Sequence, residues 1–428
     1  MHATVSRVWR PEPAAVWRAA LLVALMGVAS GADAVDWTGR VSLLGGVSHP
    51  LNGDVGKARD VGDGAVQSPT ADQQSLRLMA QDQNDAGEWS LHVQASRLNQ
   101  RGLVGRGAQT NALFRWRRLA GDSVCGDGVS RSTRLAWDID RAVYKRRFER
   151  ATLSIGRQPV DFGSGRFWQP LNVFGAFAPT DLDTDYKPGI DALVLNTYPS
   201  NFSSLTAVYA LAPQGQTAIK NSAALHHRRP LGESSQAALL VARVVGQTQI
   251  DASFESDWRG LGWRVEALHT RADAGGSAAN TLFWIAGIDY SFDNGTHLVL
   301  EWHDDGRGAT SGAQLKAVAG SRSVVQGLQQ QLARRVLGLS LQKDLSPLWS
   351  AQYAMLGTSL RQTAGGHSPS LLHQLSLVHS LNNESDLMLA LVYGSGDGLN
   401  RGLGQGGQLR STFGHQPISA TLRWRVYF

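Results

Sequence analysis

Between positions 157 and 187 the chain sets Arg157, Asp161, Arg166, Asp181, Asp183, Asp185 and Lys187 among Phe162, Phe167, Trp168, Phe174 and Phe177. So many aromatic side chains do not stay in a solvated loop; they need a surface to pack on. Fixed charge of both signs on a packed loop is what a narrow passage uses to sort ions. Asp181, Asp183 and Asp185 also share the spacing that opens a calcium loop. The glycine and the distal glutamate of an EF-hand are missing, so no metal is expected.

Acid–base chemistry has its own candidate. In THLVLEWHDD, strand alternation puts Glu301, His303 and Asp305 on one face, a plausible arrangement for activating water. A protease of that kind needs a second acidic pair opposite, and the sequence offers none. His379 and Ser380 are adjacent in VHSL and point to opposite faces of a strand, which rules out a base–nucleophile hydrogen bond within it. No CxxCH is present to attach haem, and the single cysteine, Cys125 in GDSVCGDG, has no His or Cys near it and reads as a loop thiol. These residues predict a protein that is not an enzyme and holds no cofactor.

The elements that must position such residues are strands. In EWSLHVQAS, Trp89, Leu91, Val93 and Ala95 share one face and Ser90, His92, Gln94 and Ser96 the other; LGLSLQKDL and LWSAQYAML alternate in the same way. The segments run about 9–12 residues, the length a tilted strand needs to cross a bilayer. Eighteen are predicted, near 36–48, 74–84, 88–98, 131–145, 150–158, 189–198, 203–212, 218–228, 235–244, 248–257, 261–271, 281–292, 296–305, 335–345, 348–360, 370–381, 386–396 and 415–428, with sixteen as the alternative even count. Short turns such as NDAGE, FDNGT, DLSP and NNES alternate with long connections near 49–73, 99–131, 159–187, 306–334 and 397–414. In hydrocarbon every backbone N–H and C=O must be paired, so strands span only as a closed barrel. The fold class is therefore all-β: one antiparallel up-and-down transmembrane barrel with long loops at one end and no separate plug domain.

The compartment follows from the first residues. Arg7, Arg10 and Arg18 precede the apolar run AALLVALMGVA (19–29), and Ala32-Asp33-Ala34 supplies a cleavage site, so residues 1–34 read as an export signal and 35–428 as the barrel. The run is shorter than the roughly 20 residues a spanning helix requires. The net charge of +6 is a mild excess, and it is not concentrated into the basic stripe that nucleic acid demands. Arginines gather locally: Arg101, Arg106, Arg115, Arg117 and Arg118 in one loop, and Arg40, Arg77, Arg264, Arg423 and Arg425 on polar strand faces with Asp138, Asp140, Glu266 and Glu301. That balance steers anions toward the interior.

Gly156-Arg157-Gln158, Asp161-Phe162-Gly163-Ser164-Gly165-Arg166, Trp168-Gln169-Pro170-Leu171-Asn172 and Gly189-Ile190-Asp191-Ala192 form one segment of about 40 residues. It resembles the GRQ-containing segment of the outer-membrane porin superfamily, and is similar to that of the alginate-export-like channels and related proteobacterial barrels. The resemblance implies an outer-membrane channel for hydrophilic solutes or polymer, which the arginine balance turns toward anions; alginate itself is not implied. The second reading is a structural or export barrel that sheathes a periplasmic partner. The two glycines beside Ser164 let the chain leave its strand sharply, and the loop is expected to fold into the lumen and narrow it; the alternative is that its aromatics cap the barrel or touch its wall, with the charges solvated. The pore-lining or constriction candidates are Arg157, Asp161, Arg166, Asp181, Asp183, Lys187, Arg264, Glu266, Arg423 and Arg425. Expected partners are outer-membrane lipid and lipopolysaccharide, the barrel assembly machinery, and a small anionic solute or polysaccharide.

The ending ATLRWRVYF fits this scheme. Ala420, Leu422, Trp424 and Val426 face lipid, Arg423 and Arg425 face the lumen, and Phe428 lies at the periplasmic interface, where a terminal aromatic resembles the signal read by the barrel assembly machinery.

Overall fold

Each alternating segment finds an antiparallel neighbour along both edges, which turns a two-faced strand into a closed wall. The computed structural model describes residues 35–49, 69–85, 87–101, 112–126, 131–200, 202–271, 280–363, 365–400 and 408–428. The signal segment 1–34 and Arg106 lie outside them. Eighteen strands build the wall: β1 (Asp36–His49), β2 (Thr70–Asn84), β3 (Gly87–Arg101), β4 (Arg131–Phe148), β5 (Ala151–Gln158), β6 (Ile190–Ser200), β7 (Ser203–Ala210), β8 (Ser222–Pro230), β9 (Ser235–Val244), β10 (Gln247–Trp258), β11 (Leu261–Arg271), β12 (Thr281–Ser291), β13 (Thr296–Asp305), β14 (Arg335–Ser346), β15 (Trp349–Arg361), β16 (His367–Asn382), β17 (Ser385–Gly396) and β18 (Ile418–Tyr427). Each pairs with the next, and β18 pairs with β1, Val426 opposite Val41 and Trp424 opposite Leu43. Within this ring of eighteen strands the wall closes on itself, and no edge of the ring is left for lipid to meet.

Alternation decides which face meets lipid. Trp37, Leu43, Leu193, Leu239, Val241, Trp263, Leu422 and Trp424 are exposed on the outside, whereas Arg40, Arg77, Arg264, Glu266, Glu301 and Arg423 are buried within. Short turns lie at one end and long connections at the other. Two long-end connections break the pattern: the one between β15 and β16 is only five residues, 362–366, and Val245-Gly246 is a two-residue turn with φ of 50° and 89°, the positive values that a tight hairpin requires.

The structure departs from the sequence reading in several places. The eighth strand starts at Ser222 rather than near 218, because residues 211–221 are taken up by a connection. The connection after β3 carries an added strand, Ala120–Gly126, which pairs with residues 132–138 of β4 above the short β5. Cys125 lies in that strand and not in a loop. The connection after β13 holds two short helices, α1 (Leu315–Ala319) and α2 (Arg322–Val325).

The closing seam has one demanding contact. Gly39 and Phe428 exchange backbone hydrogen bonds of 2.6 and 3.0 Å, and a Cβ on Gly39 would run into the Phe428 ring. Deleting Phe428 removes the ring and both bonds where the first and last strands meet. The expected result is a lower yield of folded, heat-modifiable barrel, with unchanged conductance in the molecules that do insert; equal yields of the deletion and the parent would count against a role for this residue in assembly.

Candidate functional site

The wall is not the whole interior. After β5 the chain does not turn back but runs through the lumen as the loop 159–189, and the apolar core of the protein lies between this loop and the wall. Val160, Leu171, Val173 and Phe174 pack on Val194, Val208, Ala210, Leu240, Val244 and Leu268. Phe167 and Trp168 pack on Ile285, Val299, Val336, Leu356 and Leu372. Burying a side chain such as Phe174 or Trp168 contributes about 2–3 kcal/mol each, so the loop is held as a core element rather than as a surface loop.

Two glutamates on the inner wall hold its backbone. Glu301 on β13 accepts the N–H groups of Arg166, Phe167 and Trp168 at 2.9, 3.0 and 2.9 Å. Glu266 on β11 accepts the Ser164 N–H and hydroxyl at 3.2 and 3.0 Å and also the Leu171 N–H. Loop N–H groups with no strand partner thus find carboxylates. Gly163 and Gly165 serve this close approach: neither has a positive φ, and a Cβ at Gly165 would overlap the Trp168 carbonyl. The expected sharp exit at these two glycines is replaced by tight packing, and the glycines with a positive φ in this stretch are Gly156, at 121°, and Gly175, at 117°.

The loop then crosses to the opposite wall. Arg40 on β1 donates to both oxygens of Asp183 at 2.8 Å and to Asp185 at 2.6 Å. Asp185 also accepts from Arg425 at 2.8 Å and from the Tyr427 hydroxyl at 2.7 Å, while Arg423 donates to the Leu182 carbonyl. Burial alone would raise the Asp185 carboxyl, but the Tyr427 hydroxyl, Arg425 and Arg40 together hold it below the usual carboxylate range. Asp183 and Asp185 are therefore committed to arginines, and among the described residues no cluster of metal-ligating side chains is found.

Beyond the tip, Tyr186 lies between the guanidinium groups of Arg40 and Arg77, 4.9 and 4.3 Å from its ring centre. Arg77 is tied to Asp140 at 2.8 Å and to Gln94 at 3.0 Å. Arg141 stands opposite His92 in the ladder at a register shift, and its Nε is buried without a partner. Lys187 donates to Asn172 at 2.6 Å and lies 3.2 Å from Asp161. Burial pulls this loop amine down to about 8, only partly offset by Asp161. Around these residues a cavity of about 260 Å³ remains, lined by Arg40, Arg77, Gln94, Asp181, Asp183, Tyr186 and Lys187.

The ten sequence candidates therefore divide. Asp181, Asp183 and Lys187 border this cavity, with Asp161 beside Lys187. Arg423 and Arg425 anchor the loop tip, and Glu266 clamps the loop's first half. Arg264 is paired with Asp289, and Arg166, largely exposed, lies 3.9 Å from the same carboxylate. Arg157 does not reach the cavity. It is 2% exposed and locked in the wall by Asp191 and the carbonyls of Ile139 and Arg117. The acid–base trio is also committed: Glu301 to the loop, His303 to the Arg334 carbonyl at 3.2 Å, and Asp305 to Arg307 at 2.6 Å.

Tyr186 is a lining group that sequence reading missed, as it missed Arg141 beside His92 on the neighbouring wall. Arg141 becomes legible only through the bulge at Asp140, which strict alternation does not foresee. The loop's landing surface did have a signal. AALLVA on β9 is apolar on both faces, Leu239 and Val241 outside and Leu240 and Ala242 inside, as expected of a strand covered on both sides.

No protein-family model and no curated protein matches the chain. Solved structures do. A BenF-like porin from Pseudomonas fluorescens Pf-5 aligns with a TM-score of 0.57 at 12% identity over 92% of this chain and 98% of that one. OccAB1 of Acinetobacter baumannii aligns with 0.55 at 11% identity over 92% and 96%, and OccD3 (OpdP) of Pseudomonas aeruginosa with 0.54 at 10% over 92% and 91%. The closed eighteen-strand antiparallel barrel is the fold these porins share with this chain, and it fits an outer membrane.

Proposed function

We propose that this barrel is an outer-membrane channel that passes small hydrophilic solutes by diffusion, with a preference for anions, and that it catalyses no reaction and uses no cofactor. The observation that carries this reading is the narrowing itself. Arg40, Arg77 and Lys187 border the cavity of about 260 Å³, with Arg141 beside His92 and Tyr186 between two guanidinium groups. Cations fixed around a narrow, low-dielectric passage raise the local concentration of anions and speed their entry. Asp183 and Asp185 on Arg40, Asp140 on Arg77 and Asp161 near Lys187 offset much of this charge, so the field attracts an anion without trapping it. The porin folds of the solved neighbours support the location in an outer membrane, with lipid and lipopolysaccharide around the wall. The GRQ segment's likeness to alginate-export-like channels extends the candidate cargo to anionic polymer.

The test is single-channel recording in a planar bilayer under a salt gradient. An open ohmic conductance with a reversal potential on the anion side is the expected result, and an electrically closed barrel would favour a sheath around a periplasmic partner. A titration adds a residue-specific check. Lys187 carries its charge below about pH 8 and loses it above. Anion preference should therefore fall between pH 7 and pH 9 as the amine deprotonates. Lys187→Met should start at the lower preference and show no step; a variant that keeps the step would place its origin elsewhere.

A further inference from the structure

A second cavity, of about 620 Å³, lies between the loop 159–189, the connection 306–334 and the inner face of β10–β13. Its volume is in the range of small-molecule sites, and its chemistry differs from that of the arginine-lined passage. Across its wall runs a row in register: Gln249 on β10 opposite Thr270 on β11, itself opposite Thr281 on β12. Gln326 from the 306–334 connection lies on the other side. Asp305 and Arg307 cancel as a pair at 2.6 Å; the exposed Arg322 leaves the lining one net positive charge among the described residues.

The uncharged part of the lining both donates and accepts, through the Gln249 and Gln326 amides and the Thr270 and Thr281 hydroxyls. A carboxylate only accepts and an ammonium group only donates, so either would leave half of this row unanswered. A hydroxyl donates and accepts through one atom, as the row does from the protein side. Trp168 and Phe283 add apolar edges for the C–H face of a ring.

We infer that this chamber is a binding subsite for a neutral, hydroxyl-rich solute, a saccharide, which reaches it through the channel proposed above. The experiment uses the full chain in a planar bilayer with maltotriose added on the long-loop side, each variant's sugar-free current serving as its own reference. Discrete current interruptions are expected whose rate rises with sugar and saturates. Gln249→Leu, and Gln326→Ala in the connection, should each weaken association about fivefold, the equivalent of one lost hydrogen bond. Calorimetric titration of the detergent-solubilised barrel with maltotriose reads the same binding without current. Binding by a barrel that does not conduct would support the subsite and remove only the channel reading. A conducting barrel with neither interruptions nor binding heat would overturn the subsite. Triglycine binding as tightly as maltotriose would overturn the saccharide assignment.

Discussion

Replacing Glu266 and Glu301 together by alanine is expected to raise single-channel conductance several-fold and to make the current noisy. The two carboxylates accept five backbone N–H groups and one hydroxyl from residues 164–171 of the lumen loop. Hydrogen bonds to a charged acceptor contribute about 1.5–3 kcal/mol each, and an N–H left dry costs about 1–3 kcal/mol. Without the carboxylates these N–H groups stay satisfied only if water enters behind the loop, which must then leave the wall. Phe167, Trp168 and Phe174 resist, and the competition between their burial and the orphaned N–H groups produces the noise. Glu301→Gln alone keeps one acceptor oxygen and should give an intermediate conductance. A double variant with parental conductance would show that the aromatic contacts suffice to hold the loop. Thermal unfolding followed by loss of heat-modifiable migration should also shift down, since core contacts and clamp fail together.

Replacing Arg77 and Arg141 by glutamine should move the reversal potential toward the cation side. Arg77 borders the passage with one guanidinium edge on Asp140 and its face on Tyr186, and Arg141 brings a second charge with no ion pair among the described residues. One unit charge at about 4 Å is worth about 1 kcal/mol even at the dielectric of water, so the pair should change the anion-to-cation permeability ratio at least about fivefold. The change should shrink at high salt as screening grows. Arg97→Gln, on the exposed outer face of β3, is the control and should leave selectivity unaltered. If the two glutamines leave the ratio unchanged, the selective point lies at another height in the barrel.

Most of the wall was legible residue by residue. Leu422 and Trp424 against Arg423, or Trp89 and Leu91 against Ser90 and His92, declare their faces because a strand repeats every two residues and lipid and water sort the two sets. The turns were readable where Asn-Gly or Asp-rich tetrads accept positive φ. The strand assignment weakened at Ser222 and failed at Ala120–Gly126, where a segment joins the wall because β5 is short and leaves β4 with an unpaired upper edge. Local pattern carries no record of such a vacancy.

The candidate site was legible as composition and not as arrangement. Aromatic residues from Phe162 to Phe177 said that the loop must pack, and alternation said that Arg40, Arg77, Glu266, Glu301 and Arg425 point inward. Which carboxylate meets which donor was not in either pattern. Arg157, a passage candidate by its charge, is enclosed in the wall. Asp183 and Asp185, which share the spacing of a calcium loop, instead hold arginines some 140 and 240 positions distant in sequence.

By itself the sequence determined a closed antiparallel barrel of strands with one face for lipid and one for water, because that choice depends only on a period of two and on the impossibility of leaving backbone groups bare in hydrocarbon. Only the tertiary structure decided where the loop lies, which charges remain free and where cavities persist. Those depend on pairings across the lumen between residues far apart in the chain, where distance and burial, rather than order in sequence, set the energy.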